Sequence, residues 1–211
     1  MQHACSDYES LFVGLKERFG LNERQADQLK RYAFLLIEWN KKFNLTAILD
    51  INKIVHYHFY DSLYITDFID FNAVKSISDI GTGAGFPGMP LKIAFPHLKV
   101  TLIEVNSKKR AFLEYLVAEF GLQEVTIIGD DWRTFLRSSL YPIDYFFARA
   151  SLQPEELVRV FKPSCFYRDA TLVYWAAAQW VSGKQEESFV KKEMGYTIDG
   201  IQRKYVFLQK T

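Results

Sequence analysis

Cysteine is scarce. Cys5 and Cys165 are the two among 211 residues, too few for a disulfide-stapled scaffold or a four-sulfur zinc site. A surplus of one charge is missing too. Lys and Arg number 26 against 25 Asp and Glu, a net +1, which excludes a polybasic chain held to nucleic acid by bulk charge and leaves a local patch open. No run approaches about 18 consecutive apolar residues, so no membrane span is predicted. Met1–Glu9 has neither the basic nor the apolar stretch of a secretory leader, and the absences together predict a soluble cytoplasmic protein. His3, His56, His58 and His97 lack companion ligands at a metal-binding spacing, so no metal site is predicted. No Gly or Pro interrupts the chain between Leu21 and Gly81, which suits helices joined by polar turns.

What is present divides into two parts. The chain is 49% hydrophobic and 16% aromatic, ample for a packed core. From Tyr8 to about residue 70 it reads as helical: Leu29, Tyr32, Ala33, Leu36 and Ile37 form one apolar stripe at i, i+3, i+4, i+7 and i+8. Asp50 is placed to cap a further helix. After Val74 strands alternate with helices: Val74–Ile80, a helix over Met89–Phe95, Val100–Val105, a helix over Ser107–Phe120 stopped by Gly121, then Val125–Ile128 and Ile143–Phe147. That alternation predicts an α/β, Rossmann-like, mostly parallel sheet. Thr171–Ala176, Gly195–Asp199 and Lys204–Gln209 leave no room for helices at the last step, which predicts an antiparallel hairpin at one edge. The expected division is an N-terminal helical cap over 1–72 and a Rossmann-like domain over 73–211, packed together because no linker composition separates them. Cys165 reads as a small core residue.

Chemistry concentrates in Asp79-Ile80-Gly81-Thr82-Gly83-Ala84-Gly85-Phe86-Pro87-Gly88. Glycines let a backbone turn tightly and approach a ligand, and this turn leaves the first strand where open α/β sheets bind nucleotides. Glu104 ends the second strand about 20 positions later, where a carboxylate accepts from ribose hydroxyls. The dinucleotide pattern needs glycine at position 86, where Phe86 stands. A pyrophosphate needs close approach to amides; S-adenosylmethionine carries no phosphate and asks only for a backbone cradle, an acid for the ribose and a partner for the adenine edge. Asp130 or Asp131, after the third strand, is a candidate for that edge, and an exposed turn is the equal alternative.

Three blocks carry a family resemblance: Trp39-Asn40-Lys41-Lys42-Phe43-Asn44-Leu45-Thr46-Ala47-Ile48, then His58-Phe59-Tyr60-Asp61-Ser62-Leu63, then Gly81–Gly88, with Ala148-Arg149-Ala150 after the fourth strand. They resemble the bacterial 16S rRNA (guanine-N7) methyltransferases, RsmG or GidB. The resemblance implies a class I S-adenosylmethionine-dependent methyltransferase fold with a helical cap. It implies methyl transfer from S-adenosylmethionine to N7 of a guanine in small-subunit rRNA, by a cytoplasmic monomer acting on 16S rRNA or a ribosomal particle. Carried over by position, Gly81, Gly83 and Phe86 fall in the cofactor loop, Glu104 is the ribose acid, and Asp130, Asp131, Trp132 and Arg133 fall on the adenine side. Arg149 is the expected catalytic residue beside cofactor and substrate. Lys108 and Lys109 are expected phosphate contacts. His58 borders the pocket on the RNA side; at i and i+3 on one helix face, it and Asp61 can share a hydrogen bond, or form a buried pair joining cap to core. Asn44 and Thr46 read either as part of the pocket or as a turn capping the next helix.

Departures from the family pattern are equally specific. Trp132-Arg133 stands where a small residue and an acid are usual, Ala150 runs directly into Ser151-Leu152, and Val173–Ala178 lacks the late Leu-Lys-Gly. Guanine N7 has a lone pair and no proton, so its methylation is mainly a matter of positioning, with the reactive group supplied by the cofactor. Phe86 and Trp132 are the candidate aromatic faces for a cationic purine, although core packing is the plainer role for each. Arg149 can pair with guanine O6 or a phosphate through its planar fork. The same scaffold would serve a methyltransferase for a small molecule or protein, or a silent RNA- or nucleotide-binding module.

Overall fold

The structure, a computed structural model, describes residues 2–210, with side chains from residue 8 onward; the readings made of His3 and Cys5 fall outside the described side chains. Two helices open it, α1 (Gln2–Phe19) and α2 (Glu23–Asn40). A capping box starts α2: Gln25 donates its backbone N–H to Asn22 Oδ1 at 3.0 Å and accepts from the Asn22 N–H through Oε1 at 2.8 Å, so two otherwise orphaned donors are satisfied. Its stripe Leu29, Tyr32, Ala33 and Leu36 is buried.

Helix does not resume until α3 (Ile51–Ile54), which Asp50 caps through the Lys53 N–H at 3.0 Å. The intervening loop is folded by Asn40, whose Oδ1 accepts from the N–H groups of Leu45 at 2.6 Å and Thr46 at 2.9 Å. Asn44 and Thr46 therefore do not cap the next helix. From α3 the chain continues through a π-helical turn, Val55–Tyr60, into α4 (Asp61–Leu63), a wide register found often at functional positions.

The sheet comprises β1 (Ser76–Ile80), β2 (Lys99–Ile103), β3 (Val125–Ile128), β4 (Tyr145–Arg149), β5 (Thr171–Ala177), β6 (Val190–Ile198) and β7 (Ile201–Leu208). Their spatial order is β3-β2-β1-β4-β5-β7-β6. The first five run parallel, and β7 pairs antiparallel with both β5 and β6. Helices α5 (Gly88–Ala94) and α6 (Ser107–Phe120) follow β1 and β2; α7 (Trp132–Ser138) and α8 (Pro154–Leu157) follow β3 and β4. The switch in strand order falls between β1 and β4, the position at which open α/β sheets place ligands.

Alternation along each strand divides the core. Ile77, Leu102, Phe147, Trp175, Tyr205 and Phe207 face one cluster together with α1, α2, α5 and α6. Ile80, Ile103, Phe146, Ala148, Leu172 and Val206 face the other, with Trp132 and Phe135 of α7 and Leu157 of α8. This is the period-2 rule of a pleated strand, and it shows the cap packed on one face of the sheet only. The hairpin closes through Asp199-Gly200, at φ 49° and 75°, between the paired residues Ile198 and Ile201, the left-handed geometry a two-residue turn requires. β6 begins five residues before the predicted Gly195. Its Lys191, Lys192 and Glu193 are exposed, and such edge charges hide a strand from a hydrophobic pattern while blocking sheet-to-sheet pairing.

Candidate active site

Between β1 and α5 the chain turns from a fully buried strand into a helix. Gly81, Gly83 and Gly85 adopt φ of 64°, 64° and 107°. A Cβ at Gly81 would lie 2.5 Å from Ser151 Cβ, and one at Gly85 2.5 Å from the Tyr32 hydroxyl; both glycines permit close packing. A Cβ at Gly83 meets nothing nearer than 4.0 Å, so the bare backbone there faces open space.

Two carboxylates fix this loop. Asp79 Oδ2 accepts from Thr82 Oγ1 at 2.6 Å and the Gly88 N–H at 2.8 Å, while Oδ1 is buried without a partner. Burial raises its carboxyl to about 6, against the opposing hydrogen bonds from Thr82 and Gly88. Glu104, one residue past β2, accepts from the Gly83 N–H at 2.9 Å through Oε2 and from the Asn106 N–H at 2.8 Å through Oε1. Each of its oxygens keeps a second lone pair. The N–H groups of Gly85 and Phe86 are both taken by the Thr82 carbonyl at 3.0 Å.

Phe86 turns out of the loop into the cap. Its ring stacks on Tyr32 at 5.2 Å and on His58 at 4.3 Å, with the Arg149 guanidinium 5.4 Å from its centroid. Tyr32 also donates its hydroxyl to the Ala84 carbonyl. The Phe86 ring is thus engaged by protein groups, which is the plainer packing role and leaves no bare aromatic face there for a cationic ligand.

Arg149 joins this stack to the sheet. Its Nη1 donates to Asp61 Oδ2 at 2.8 Å and the Tyr57 carbonyl at 3.0 Å, and Nη2 lies 3.2 Å from His58 Nδ1. Guanidinium has only donors, so His58 Nδ1 accepts and the ring proton sits on Nε2, 3.1 Å from Thr46 Oγ1. Burial first, then the Arg149 charge, lowers the His58 pKa to about 3, leaving the ring neutral. His58 and Asp61 make no hydrogen bond to each other; they form the buried pair joining cap to core, and in the π-helical register both side chains hold Arg149. Asp61 is fully buried and serves several elements at once. Its carboxylate also accepts from the Tyr196 hydroxyl at 2.7 Å and from Arg203 at 3.2 Å, and its backbone carbonyl accepts from Trp175 Nε1 and the Tyr205 hydroxyl.

These contacts enclose a cleft of about 360 Å³ whose lining includes Thr46, Tyr57, His58, Gly83, Lys109, Arg149 and Arg203, and no carboxylate. A second cavity of about 440 Å³ continues from it past Arg149 and Arg203 to Tyr174 and Gln179. Of the residues expected from sequence, Gly81, Gly83, Phe86, His58, Lys109 and Arg149 meet in the cleft. Glu104 backs it through Gly83, and Lys108 lines a neighbouring concavity.

Asp130, Asp131, Trp132 and Arg133 are not brought to it. Asp131 caps α7 through the Thr134 N–H at 2.9 Å. Trp132 is buried in the far cluster, with Nε1 on the Glu156 carbonyl at 3.2 Å, and Arg133 pairs with the Glu156 carboxylate at 3.0 Å. Asp130 is exposed. Sequence reasoning missed Tyr32, Tyr57 and Arg203. Tyr32 is hidden in an apolar stripe, and Arg203 arrives by a hairpin pairing that no local pattern announces.

A doubly wound sheet with a glycine-rich turn after β1 and an acid after β2 is the architecture of the class I methyltransferases. Solved structures agree on the fold. The putative methyltransferase yhhF from Escherichia coli superposes with TM-score 0.55 at 13% identity, over 71% of this chain and 86% of that one. A mutant of MtNAS in complex with S-adenosylmethionine gives TM-score 0.58 at 16% identity, over 95% and 84%. The chain belongs to the GidB family, rRNA small subunit methyltransferase G, whose profile matches residues 25–209. It is 48% identical over 128 residues to the ribosomal RNA small subunit methyltransferase G of Staphylococcus aureus (strain bovine RF122 / ET3-1), covering 60% of this chain and 54% of that protein. The Staphylococcus epidermidis (strain ATCC 12228) protein of the same name is 46% identical over 115 residues, 54% of this chain and 48% of its own. The chain thus matches about half the length of these relatives.

Proposed function

We propose that this protein transfers a methyl group from S-adenosylmethionine to N7 of a guanine in 16S rRNA, acting in the cytoplasm as a monomer on rRNA or a small-subunit particle. The observation that carries this reading is a cleft lined by cationic groups, with its imidazole engaged and no carboxylate in its wall. Lys109, Arg149 and Arg203 line it without a carboxylate. His58, its one imidazole, has both nitrogens engaged and a pKa lowered to about 3 by burial and Arg149. Such a site suits a nucleophile that carries no proton, on an anionic polymer.

The residues fit the cofactor. Gly83 offers uncovered backbone, Asp79 Oδ1 is an orphaned buried acceptor, and Glu104 retains lone pairs for a ribose. The amides of Gly83, Gly85, Phe86 and Gly88 are already bonded within the protein, which disfavours a pyrophosphate. S-adenosylmethionine, when bound, supplies an electrophilic methyl group on sulfonium. The protein's share is positioning. Glu104 orients the sugar, with Gly81, Gly83 and Phe86 shaping the loop. Asp130, exposed after β3, is the group left to meet the adenine edge, with Val105, 62% exposed, following Glu104; Asp131, Trp132 and Arg133 are held by α7 and Glu156. Arg149 keeps two of its five N–H donors unpaired among the described contacts and directs them to the guanine or a flanking phosphate. His58 holds Arg149 in that orientation, and Lys108 and Lys109 meet RNA phosphates. Residues 1–72 act as a cap closing the cleft over the domain formed by 73–211.

Incubating the protein with radiolabelled S-adenosylmethionine and unmodified small subunits, followed by chemical cleavage at N7-methylguanine, tests the reading. One new cleavage site in 16S rRNA is expected. Label entering a protein or small molecule while the rRNA stays unmodified would assign a different acceptor, and absence of cofactor binding by calorimetry would leave a silent binding module.

A further inference from the structure

Beside the cleft lies a separate concavity of about 240 Å³ that four lysines line from two directions. Lys41 and Lys42 come from the loop after α2, and Lys108 and Lys109 from the first turn of α6. Asn44 and Asn106 complete its polar wall, and it contains no acidic residue. Among the described residues none of the four lysines forms an ion pair. In a chain of net charge +1, four uncompensated cations around one hollow are a local concentration that composition does not anticipate.

The hollow is organised as well as charged. Asn106 Oδ1 accepts from the N–H groups of Lys108 at 3.0 Å and Lys109 at 3.2 Å. Those first-turn amides are occupied, so ammonium groups are what the hollow offers an anion. Lys108 Nζ sits 5.7 Å from the Phe43 ring centroid, which ties the α6 side to the loop after α2. Leu45 and Lys109 line both this hollow and the main cleft, so the two are contiguous.

We infer that this hollow is a phosphodiester-binding site. It grips the RNA backbone next to the nucleotide whose base enters the cleft, with Lys41 and Lys42 of the cap meeting the phosphate adjacent to the one held by Lys108 and Lys109. The inference rests on the rRNA reading of the cleft and adds to it a second wall, built from the cap. Lysines act here as point charges, for which ammonium is suited, and the interaction is backbone-directed and carries no sequence information. It accounts for how a nearly neutral protein gains hold of a polyanion.

The test is binding of a short guanine-containing single-stranded RNA, followed by fluorescence anisotropy across a salt series, with S-adenosylmethionine affinity measured alongside by calorimetry. In the double variant Lys41→Ala/Lys42→Ala, RNA affinity is expected to fall roughly tenfold near 0.1 M salt, and the salt slope to flatten by about 0.7 for each phosphate no longer neutralised. Cofactor affinity should stay within twofold, and Lys41→Arg/Lys42→Arg should restore most of the affinity. Unchanged RNA affinity and slope in the alanine variant would overturn the inference, even if inorganic phosphate alone protects the wild-type protein from heat and not the variant. An arginine variant as weak as the alanine one would overturn it too. Binding is read without methyl transfer, so a wild-type protein that holds RNA but leaves 16S rRNA unmodified sinks the enzymatic reading and spares the site.

Discussion

His58 and Asp79 are buried beside the same cleft, and acid acts on them in opposite directions. The imidazole has a pKa of about 3 in the fold against about 6.5 in an unfolded chain. Between those values the unfolded state binds the extra proton, so the His58 contribution is intact above pH 6.5 and is lost as pH falls toward 3. Asp79 is raised to about 6 from 3.8; there the folded state binds the extra proton, and stability is gained as pH falls from 6 to 4. The wild-type curve should therefore be shallow between pH 6 and 4. Asp79→Asn is expected to make it fall steeply with acid, and His58→Gln to make it level or rising. Urea midpoints at several pH values check this, and identical curves for the three proteins would refute it. At Arg149 the stake is larger. Its alanine variant leaves Asp61, fully buried, with one fewer cation, and removing a partner from a buried pair costs about 3–5 kcal/mol. Arg149→Ala should lower the melting temperature markedly as well as abolish methylation, and Arg149→Lys should recover much of the stability.

At the scale of elements, the glycine loop separates packing from access. Gly85→Ala drives a Cβ to 2.5 Å from the Tyr32 hydroxyl and 2.8 Å from Met89, so it should unseat the cap and destabilise by several kcal/mol. Gly83→Ala meets no neighbour closer than 4.0 Å and incurs about 1–2 kcal/mol for its left-handed backbone, yet it narrows the cradle. It should weaken cofactor affinity out of proportion to stability. Calorimetric Kd and chemical denaturation on both variants separate the two. Elements with strong local signals were legible from sequence. α6 runs from Ser107 to Phe120 as its apolar face and Gly121 indicate, and β3 from Val125 to Ile128. The loop glycines and Glu104 also announced themselves by spacing. α7 did not, because Trp132 and Phe135 are too few apolar positions to set a helical period. His58 and Asp61 were legible as a buried pair joining cap to core, but a helical i, i+3 spacing cannot reveal the π-helical turn between them or the arginine that arrives from β4 to hold both.

For the whole molecule, one apolar cluster runs from Phe12 of α1 through the sheet to Phe207 of β7. Cap and sheet have no separate cores on that face, so they should unfold in one cooperative transition. Trp39 reports on the cap and Trp175 on the sheet; fluorescence and far-ultraviolet circular dichroism should give coincident denaturation curves, and a cap melting first would contradict this. The strand order has a further consequence for synthesis. β6 is made before β7, yet β7 lies between it and β5, so β6 has no sheet partner until β7 has emerged. Arg203, which reaches Asp61 and borders the cleft, is carried by that same strand. A growing chain on the ribosome accordingly has an unfinished pocket until β7 has emerged, so the order in which the polypeptide is built delays capture of ligand.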